Sequence, residues 1–263
     1  MNPFSGLFGA GVAIKNAFYD RGALKAQKLE RPVVSIGNIS VGGSGKTPFV
    51  VALGELLKQR GIAFDVLSRG YGRSSTEIAV VEPDGSPERF GDEPLLIARA
   101  LNVPVIVGAD RFRAGVMAEN KFSSQLHLLD DGFQHRRLRR DFDIVLVPEK
   151  DLEDSLLPAG RLREPVSSLR RADALVLFHQ ASLPEVNTRI FGARRVVTLE
   201  QIGGKPVVFC AIARPLQLFD AIKELGQSIT GQRTFRDHHR YSQADIDGLL
   251  RLRQAAGADA FIT

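Results

Sequence analysis

Short apolar runs alternate with longer runs of helical periodicity along this chain of 263 residues. The apolar runs have the length and β-branched content of buried strands. They are 33–39, 64–67, 78–81, 103–107, 126–129, 142–147, 174–178, 196–199, 207–212 and 258–263. The helical runs after the first strand are 49–57, 95–101, 110–121, 215–225 and 243–255. This alternation predicts an α/β fold with a mostly parallel sheet flanked by helices.

Residues 2–29 precede the first strand and predict an amphipathic helix. Its apolar stripe consists of Phe4, Leu7, Phe8, Gly11, Ile14 and Phe18. Two interpretations stay open: the stripe docks in a membrane interface, or it packs on the chain's own domain. No apolar run approaches the roughly 20 residues that span a bilayer, and no signal-peptide pattern begins the chain. We therefore expect a protein of the cytoplasm or of a membrane surface facing it.

The strand at 33–39 runs into a glycine-dense turn that ends in Gly-Lys-Thr, which predicts a P-loop. The loop residues are Ser40, Val41, Gly42, Gly43, Ser44, Gly45, Lys46 and Thr47. Glycines let backbone N–H groups approach polyphosphate closely, Lys46 can reach the β- and γ-phosphates, and the Thr47 hydroxyl can bind magnesium. Ser40 stands where the general motif has its first glycine.

Composition is that of a folded chain, with 44% hydrophobic residues and a formal charge of +5. The basic excess suits an anionic partner but does not choose between nucleotide, phospholipid and nucleic acid. Cys210 is the single cysteine, so the chain has no internal disulfide, and a reducing compartment fits.

Carboxylates at two places have the positions of catalytic or metal-binding groups. Asp130 and Asp131 end an apolar strand downstream of the P-loop, where P-loop enzymes place a magnesium-directing acid. We expect one of the two to serve the metal and the other to cap the turn at Gly132. Asp92 begins a helical run, where it is either a helix cap or a base near the phosphate site.

Three basic loops and a late histidine have open roles. Residues 68–73 and 133–140 are either anion contacts or solvated surface turns, so Arg69, Arg73 and His135 receive no role, and Arg111 receives none either. Arg163 and Glu164 lie in a proline-bracketed loop and are either a phosphate clamp or a surface ion pair. His238 is either a proton shuttle or an ordinary polar group.

Several motifs together resemble the tetraacyldisaccharide 4'-kinase family of lipid A biosynthesis. They are SVGGSGKTP, SRGYGR, GDEP, LLDDGFQH, LLPAGRLREP and DHH, spread over residues 40–239. The resemblance implies a P-loop NTPase-like core and transfer of the ATP γ-phosphate to the 4'-hydroxyl of a tetraacyldisaccharide 1-phosphate. It also implies ATP and Mg²⁺ as cofactors and a lipid substrate, with no nucleic acid and no obligate protein partner. It places the chain peripherally on the cytoplasmic face of the inner membrane.

The resemblance also implies roles for individual residues. Asp92 paired with His238 would be the base for the sugar hydroxyl, and Lys46 would act on the phosphate. Residues 40–47 and Arg163 would bind the nucleotide, and Thr47, Asp130, Asp131 and Glu164 would serve the metal.

The expected organisation is a membrane-docking helix over 1–30, a kinase core over 31–202 and a smaller α/β lobe over 203–263. Gly203 and Gly204 resemble a hinge between the last two. The final strand pattern stops within an element, so we expect the second lobe to be shortened.

Two rival functions remain. A nucleotide-switch ATPase of the P-loop class would bind ATP to change membrane or partner affinity, but such proteins often carry a lysine where this chain has Val41. The N-K-x-D motif that reads guanine is missing, which argues against a GTPase. A cytosolic small-molecule kinase is the second rival, and the apolar N-terminal stripe argues against it.

Overall fold

The computed structural model describes residues 3–178, 187–194, 196–197 and 204–263. Contacts divide the chain into two compact units, Met1–Arg194 and Arg195–Thr263. The predicted hinge residue Gly203 and the predicted lobe boundary at 202–203 lie outside the described residues, and so does part of the predicted strand 196–199. The lobe boundary therefore stays a prediction.

The first unit alternates strands and helices, as the apolar pattern predicts. Its helices are α1 (Pro3–Asp20), α2 (Lys46–Gln59), α3 (Pro87–Phe90), α4 (Asp92–Leu101) and α5 (Arg111–Lys121). Its strands are β1 (Val33–Asn38), β2 (Phe64–Ser68), β3 (Ala79–Val80), β4 (Val105–Val107), β5 (Leu126–Asp130), β6 (Phe142–Val147), β7 (Ala174–Leu177) and β8 (Arg189–Gly192). The sequence pattern missed β8, whose four residues are all exposed and include only two apolar side chains, Ile190 and Phe191.

These strands form one sheet in the order β3-β4-β2-β5-β1-β6-β7-β8, in which only the edge pair β3 and β4 is antiparallel. The predicted mostly parallel α/β fold is confirmed. Ile36 and Leu128, on neighbouring central strands, pack with Val50 of α2 and Leu95 of α4 in one buried cluster. Another cluster joins α5 to Leu67 and Leu129. Helices thus cover the sheet, and burial of its apolar strands stabilises it.

The parallel strands bring their carboxyl ends to one edge of the sheet. β1 ends at Asn38 between β5 and β6, and Ile36 of β1 is in register with Asp130 of β5. β2 ends at Ser68, in register with Val107 of β4. Ligands of open α/β sheets bind at this edge, so it is where the candidate chemistry must be sought.

The second unit contains β9 (Pro206–Cys210), α6 (Pro215–Glu224), β10 (Gly231–Thr234), α7 (Gln243–Ala255) and β11 (Ala260–Ile262). Its strands form a parallel sheet in the order β10-β9-β11. Val208 of β9 packs on Phe219 and Ile222 of α6. The Ser242 side chain accepts a hydrogen bond from Asp245 N at 3.3 Å and caps α7, as its position before the helical run suggests.

Candidate active site

The P-loop connects the centre of the sheet to the first turn of α2. Gly42 and Gly45 have φ values of 80° and 85°, in the left-handed region that only glycine adopts at little cost. Gly45 is also the N-cap of α2, so the loop ends where free helix N–H groups and the helix dipole attract anions. Lys46 and Thr47 are the first two helical residues and are both half-buried.

Ser40 is buried, and the structure explains why a serine stands at this position. Its hydroxyl donates a hydrogen bond to Asp151 Oδ2 at 2.5 Å. The next residue, Val41, donates its N–H to Arg161 O at 2.8 Å, and Arg161 Nη2 donates back to Val41 O at 2.7 Å. The loop that contains Arg161 and Arg163 is therefore bound directly to the entrance of the P-loop.

Lys46, Asp131 and Arg163 meet behind the P-loop, so three of the predicted residues lie in one constellation. Lys46 Nζ lies 3.1 Å from Asn38 Oδ1 and 3.5 Å from Asp131 Oδ1. Arg163 donates to both oxygens of Asp131, at 2.8 and 2.9 Å, and also to Asn38 Oδ1. Such a bidentate guanidinium–carboxylate pair fixes the orientation of the carboxylate as well as neutralising its charge.

The two adjacent aspartates have opposite electrostatic environments. Burial alone would raise the pKa of Asp131, but the hydrogen bonds from Arg163 and the charge of Lys46 hold it well below its usual range. Burial and the neighbouring Asp131 raise the pKa of Asp130 to about 6, against the weaker effects of Lys46 and Ser68. Asp131 is thus the ion-paired carboxylate, whereas among the described residues no cation lies at ion-pair distance from Asp130.

Asp130 has the character of a cation ligand. It is 6% exposed, and its Oδ2 accepts a hydrogen bond from Ser68 Oγ at 3.1 Å. Among the described residues no donor reaches its Oδ1. A buried carboxylate with an oxygen that accepts no hydrogen bond fits Mg²⁺, which prefers oxygen ligands.

Glu164 lies in a different network from the two aspartates. It is 3% exposed, and it accepts hydrogen bonds from Gln134 Nε2 at 3.1 Å, Asn16 Nδ2 at 2.8 Å and Arg171 Nη2 at 2.6 Å. Within the described ranges no three His, Cys, Asp or Glu side chains are grouped to hold a metal ion. The predicted acids therefore do not form a ready-made cage, which agrees with the habit of Mg²⁺ to use one or two carboxylates with substrate phosphates and water.

The predicted base residues belong to different units. Asp92 is the first residue of α4 and is exposed, while the N-cap is Gly91, with a φ of 90° and no side-chain cap bond. Asp92 is therefore not the N-cap residue, and its charge in the first turn favours the helix dipole. His238 is exposed in the second unit, has a φ of 57° and donates its N–H to Ala211 O at 3.2 Å. Their pairing stays a prediction.

Several contributors escaped the sequence analysis. Asn38 connects Lys46, Arg163 and the Ser40 hydroxyl, and its signal was a polar residue at the end of an apolar strand. Gln134 donates to Asn38 O at 2.9 Å as well as to Glu164. Glu93, next to Asp92, adds to the raised pKa of Asp130 through its charge. Asp151 gave no signal, because its role depends on where its loop folds.

The site can now be compared with known proteins. The family model described as "Tetraacyldisaccharide-1-P 4'-kinase" (LpxK) matches residues 1–263. The chain belongs to this family. The resemblance drawn from the motifs is confirmed, and with it the class of enzyme, an ATP-dependent kinase.

Other members of the LpxK family are similar over nearly the whole chain. The tetraacyldisaccharide 4'-kinase of Koribacter versatilis is 53% identical over 276 residues, which cover 100% of this chain and 86% of the relative. That of Aquifex aeolicus is 40% identical over 270 residues, covering 91% and 82%. A crystal structure of "apo" form LpxK from Aquifex aeolicus in complex with ATP has a TM-score of 0.82 and 39% identity, covering 92% of this chain and 82% of that one.

Proposed function

We propose that this chain transfers the γ-phosphate of ATP to the 4'-hydroxyl of a tetraacyldisaccharide 1-phosphate in lipid A biosynthesis. The observation that carries the proposal is the Lys46–Asp131–Arg163 constellation behind a glycine-rich loop, in a chain whose relatives bear the name of this kinase. Phosphoryl transfer needs mainly positioning and neutralisation of charge, and these residues supply both.

The nucleotide is held by residues 40–47 and Arg163 in this proposal. Backbone N–H groups of the loop and the start of α2 cradle the phosphates, and Lys46 moves from Asp131 toward the terminal phosphate. Arg163 keeps Asp131 ionised and in place while Lys46 is engaged, because it donates two hydrogen bonds to that carboxylate.

Thr47, Asp130 and Asp131 would serve magnesium in this proposal, and Glu164 would support the loop that contains Arg163. When bound, the ion neutralises the charge of the phosphate oxygens during transfer. Glu164 acts through its hydrogen bonds to Gln134 and Asn16, which connect this loop to the turn after β5 and to α1.

Asp92 and His238 remove the proton of the acceptor hydroxyl. A sugar hydroxyl is a weak nucleophile until a base accepts its proton in the transition state. In the proposed pair the carboxylate would favour the protonated form of the imidazole, so that the two groups together can accept the proton.

We also propose that α1 docks the enzyme on the cytoplasmic face of the inner membrane. Leu7, Ile14 and Phe18 of the apolar stripe are 75%, 57% and 48% exposed. The opposite side of α1 contacts the rest of the first unit. Ser5 Oγ donates a hydrogen bond to Leu156 O at 2.9 Å, and Asn16 Nδ2 donates one to Glu164. No helix in the described ranges is long and apolar enough to cross a membrane.

Exchange of exposed apolar residues on α1 is expected to weaken membrane binding. Each large aliphatic side chain that leaves a lipid phase forfeits about 1.5–3 kcal/mol, so Leu7→Ser with Ile14→Ser should lower partitioning onto vesicles at least about tenfold. Co-sedimentation with vesicles of phosphatidylethanolamine and phosphatidylglycerol measures this. Leu56→Ser, at an equally exposed position of α2, is the control and should leave binding unchanged. Equal partitioning of all three proteins would contradict the docking role.

The kinase assignment is tested by transfer of labelled γ-phosphate in detergent micelles, with and without tetraacyldisaccharide 1-phosphate. We expect label in the lipid fraction only when the acceptor is present, and about a 10²-fold or greater loss of transfer in Lys46→Ala. Lys58→Ala, at the far end of α2, is the matched control. Phosphate released to water at the same rate with or without acceptor would instead favour the nucleotide-switch ATPase. Transfer to soluble sugars with no gain from the lipid would favour the small-molecule kinase.

A further inference from the structure

A chain of hydrogen bonds connects the P-loop site to a buried carboxylate that the proposed mechanism does not use. Asp151 ends a single helical turn after β6, Glu149–Asp151, and is 1% exposed. Its Oδ2 accepts the hydrogen bond from Ser40 Oγ at 2.5 Å. This length is typical of a hydroxyl that donates to an ionised carboxylate. Asp151 therefore places a negative charge in the interior, next to the entrance of the P-loop.

Ser40 connects this carboxylate to Asn38. A serine hydroxyl has one proton, and here that proton goes to Asp151, so the hydroxyl oxygen acts as an acceptor on its other side. Asn38 Nδ2 donates to this oxygen at 3.1 Å and to the carbonyl oxygen of Ser40 at 2.9 Å. Because both partners are acceptors, they fix the amino group of the Asn38 amide toward Ser40.

The carbonyl end of the same amide faces two cations. Asn38 Oδ1 accepts hydrogen bonds from Lys46 Nζ at 3.1 Å and from Arg163 Nη2. The fully buried amide thus uses both of its donors and both of its acceptor positions. The bonds that lead from the two cations through Asn38 and Ser40 to Asp151 all point in one direction. Bonds in such an aligned chain strengthen one another, because each bond polarises the next.

We propose that Asp151 is a positioning residue of the nucleotide site, which acts on Lys46 and Arg163 through Ser40 and Asn38. The carboxylate holds the Ser40 hydroxyl in the direction that keeps the Asn38 carbonyl oxygen toward the two cations. Arg163 retains this partner when Lys46 moves to the phosphate. The inference rests on the proposed function and adds to it a buried group that acts without contact with either substrate.

Steady-state kinetics of Asp151 variants test the proposal. Asp151→Leu removes the acceptor of the Ser40 hydroxyl, so kcat for phosphoryl transfer should fall about 10- to 10²-fold while KM for the lipid acceptor stays at its wild-type value. Asp151→Asn keeps a carbonyl oxygen that can accept from Ser40, so it should retain most of kcat. Wild-type kcat in Asp151→Leu would overturn the proposal, and so would an equal loss of kcat in Asp151→Asn.

A control variant separates positioning from a loss of stability. Asp143 is a buried carboxylate of β6 that is paired with Arg140 at 3.0 Å and takes no part in the chain of hydrogen bonds. Asp143→Leu should lower the midpoint of thermal unfolding and keep kcat. A loss of kcat in Asp143→Leu as large as that in Asp151→Leu would overturn the specific role of Asp151.

A double variant tests the connection through Ser40. Ser40→Ala breaks the chain at its middle and should lower kcat by itself. Adding Asp151→Leu should lower kcat no further, because residues that act through one network are not additive. Losses that multiply would show that the two residues act separately and would overturn the chain.

A measurement without turnover separates this proposal from the kinase assignment. Exchange of the Asn38 side-chain amide protons with solvent is followed by NMR in the full chain with isotope-labelled asparagine and no nucleotide. We expect Asp151→Leu and Ser40→Ala to lose the protection of the proton that bonds to position 40, while the backbone amides of β1 keep theirs. This result survives if wild type transfers no phosphate. Equal protection of the Asn38 amide in wild type and both variants would overturn the proposal.

Discussion

Asp92→Asn and His238→Ala are each expected to lower phosphoryl transfer about 10²- to 10⁴-fold while ATP affinity stays largely unchanged. Loss of a general base raises the barrier of the chemical step, because the acceptor hydroxyl must then attack with its proton still bound. Neither residue belongs to the P-loop. Transfer of labelled phosphate to the lipid acceptor measures the first quantity, and calorimetric titration with ATP measures the second.

The neighbouring histidine provides a matched control for this prediction. His239 accepts or donates at 3.0 Å to Asp245 and stacks on Phe235, so its contacts within the second unit are structural. His239→Ala should retain turnover and lose only stability. Full turnover in both Asp92→Asn and His238→Ala would remove the dyad, and weakened ATP binding in both would make it a nucleotide site instead.

A buried ion pair in the first unit is expected to give the largest effect on stability. His127 Nδ1 lies 2.7 Å from Asp65 Oδ1, the two residues are in register on β5 and β2, and both side chains are fully buried. His127 Nε2 lies 3.3 Å from Glu119 Oε1. We expect His127→Leu to lower the free energy of unfolding by about 3–5 kcal/mol, because it leaves Asp65 buried and unpaired. Chemical denaturation followed by circular dichroism measures the loss.

The double variant Asp65→Leu with His127→Leu is the control, since it removes both partners and fills the space with apolar atoms. It should recover much of the loss. A double variant less stable than His127→Leu would contradict this account of the pair.

The same pair gives stability a defined dependence on pH. Burial lowers the pKa of His127, but the hydrogen bonds and charges of Asp65 and Glu119 outweigh it, so the folded pKa lies above the ordinary 6.5. Its contribution to stability is fully present below the unfolded pKa and is lost as the pH rises through the folded pKa. The stability difference between wild type and the double variant should therefore shrink as the pH rises past neutrality. A difference that grows with pH would contradict the sign.

Local patterns were enough to predict the secondary structure and the P-loop. The strand before the loop, the glycines and the Lys-Thr pair are adjacent in sequence, so their role can be predicted without knowledge of the fold. The position of Asp130 and Asp131 at the end of a strand could be predicted in the same way, because the strands of a parallel sheet have their carboxyl ends at one edge. Motifs spread over the chain then identified the family.

Local patterns were not enough to assign partners. Asp130 and Asp131 look equivalent in sequence, yet only Asp131 meets Arg163, and this contact follows from the loop that bridges Ser40 to Leu162. Glu164, predicted to serve the metal, accepts hydrogen bonds from Asn16, Gln134 and Arg171. Neither set of contacts can be predicted from the spacing of residues along the sequence.

The sequence by itself determined the order of elements, the sheet class, the phosphate loop and the apolar stripe of α1, because each depends on residues close together along the chain. Only the tertiary structure decided which face of α1 is exposed and which of the two aspartates is ion-paired. The physical reason is that burial and charge pairing are properties of packing. They depend on contacts between distant segments, and a sequence pattern constrains those contacts only through the fold.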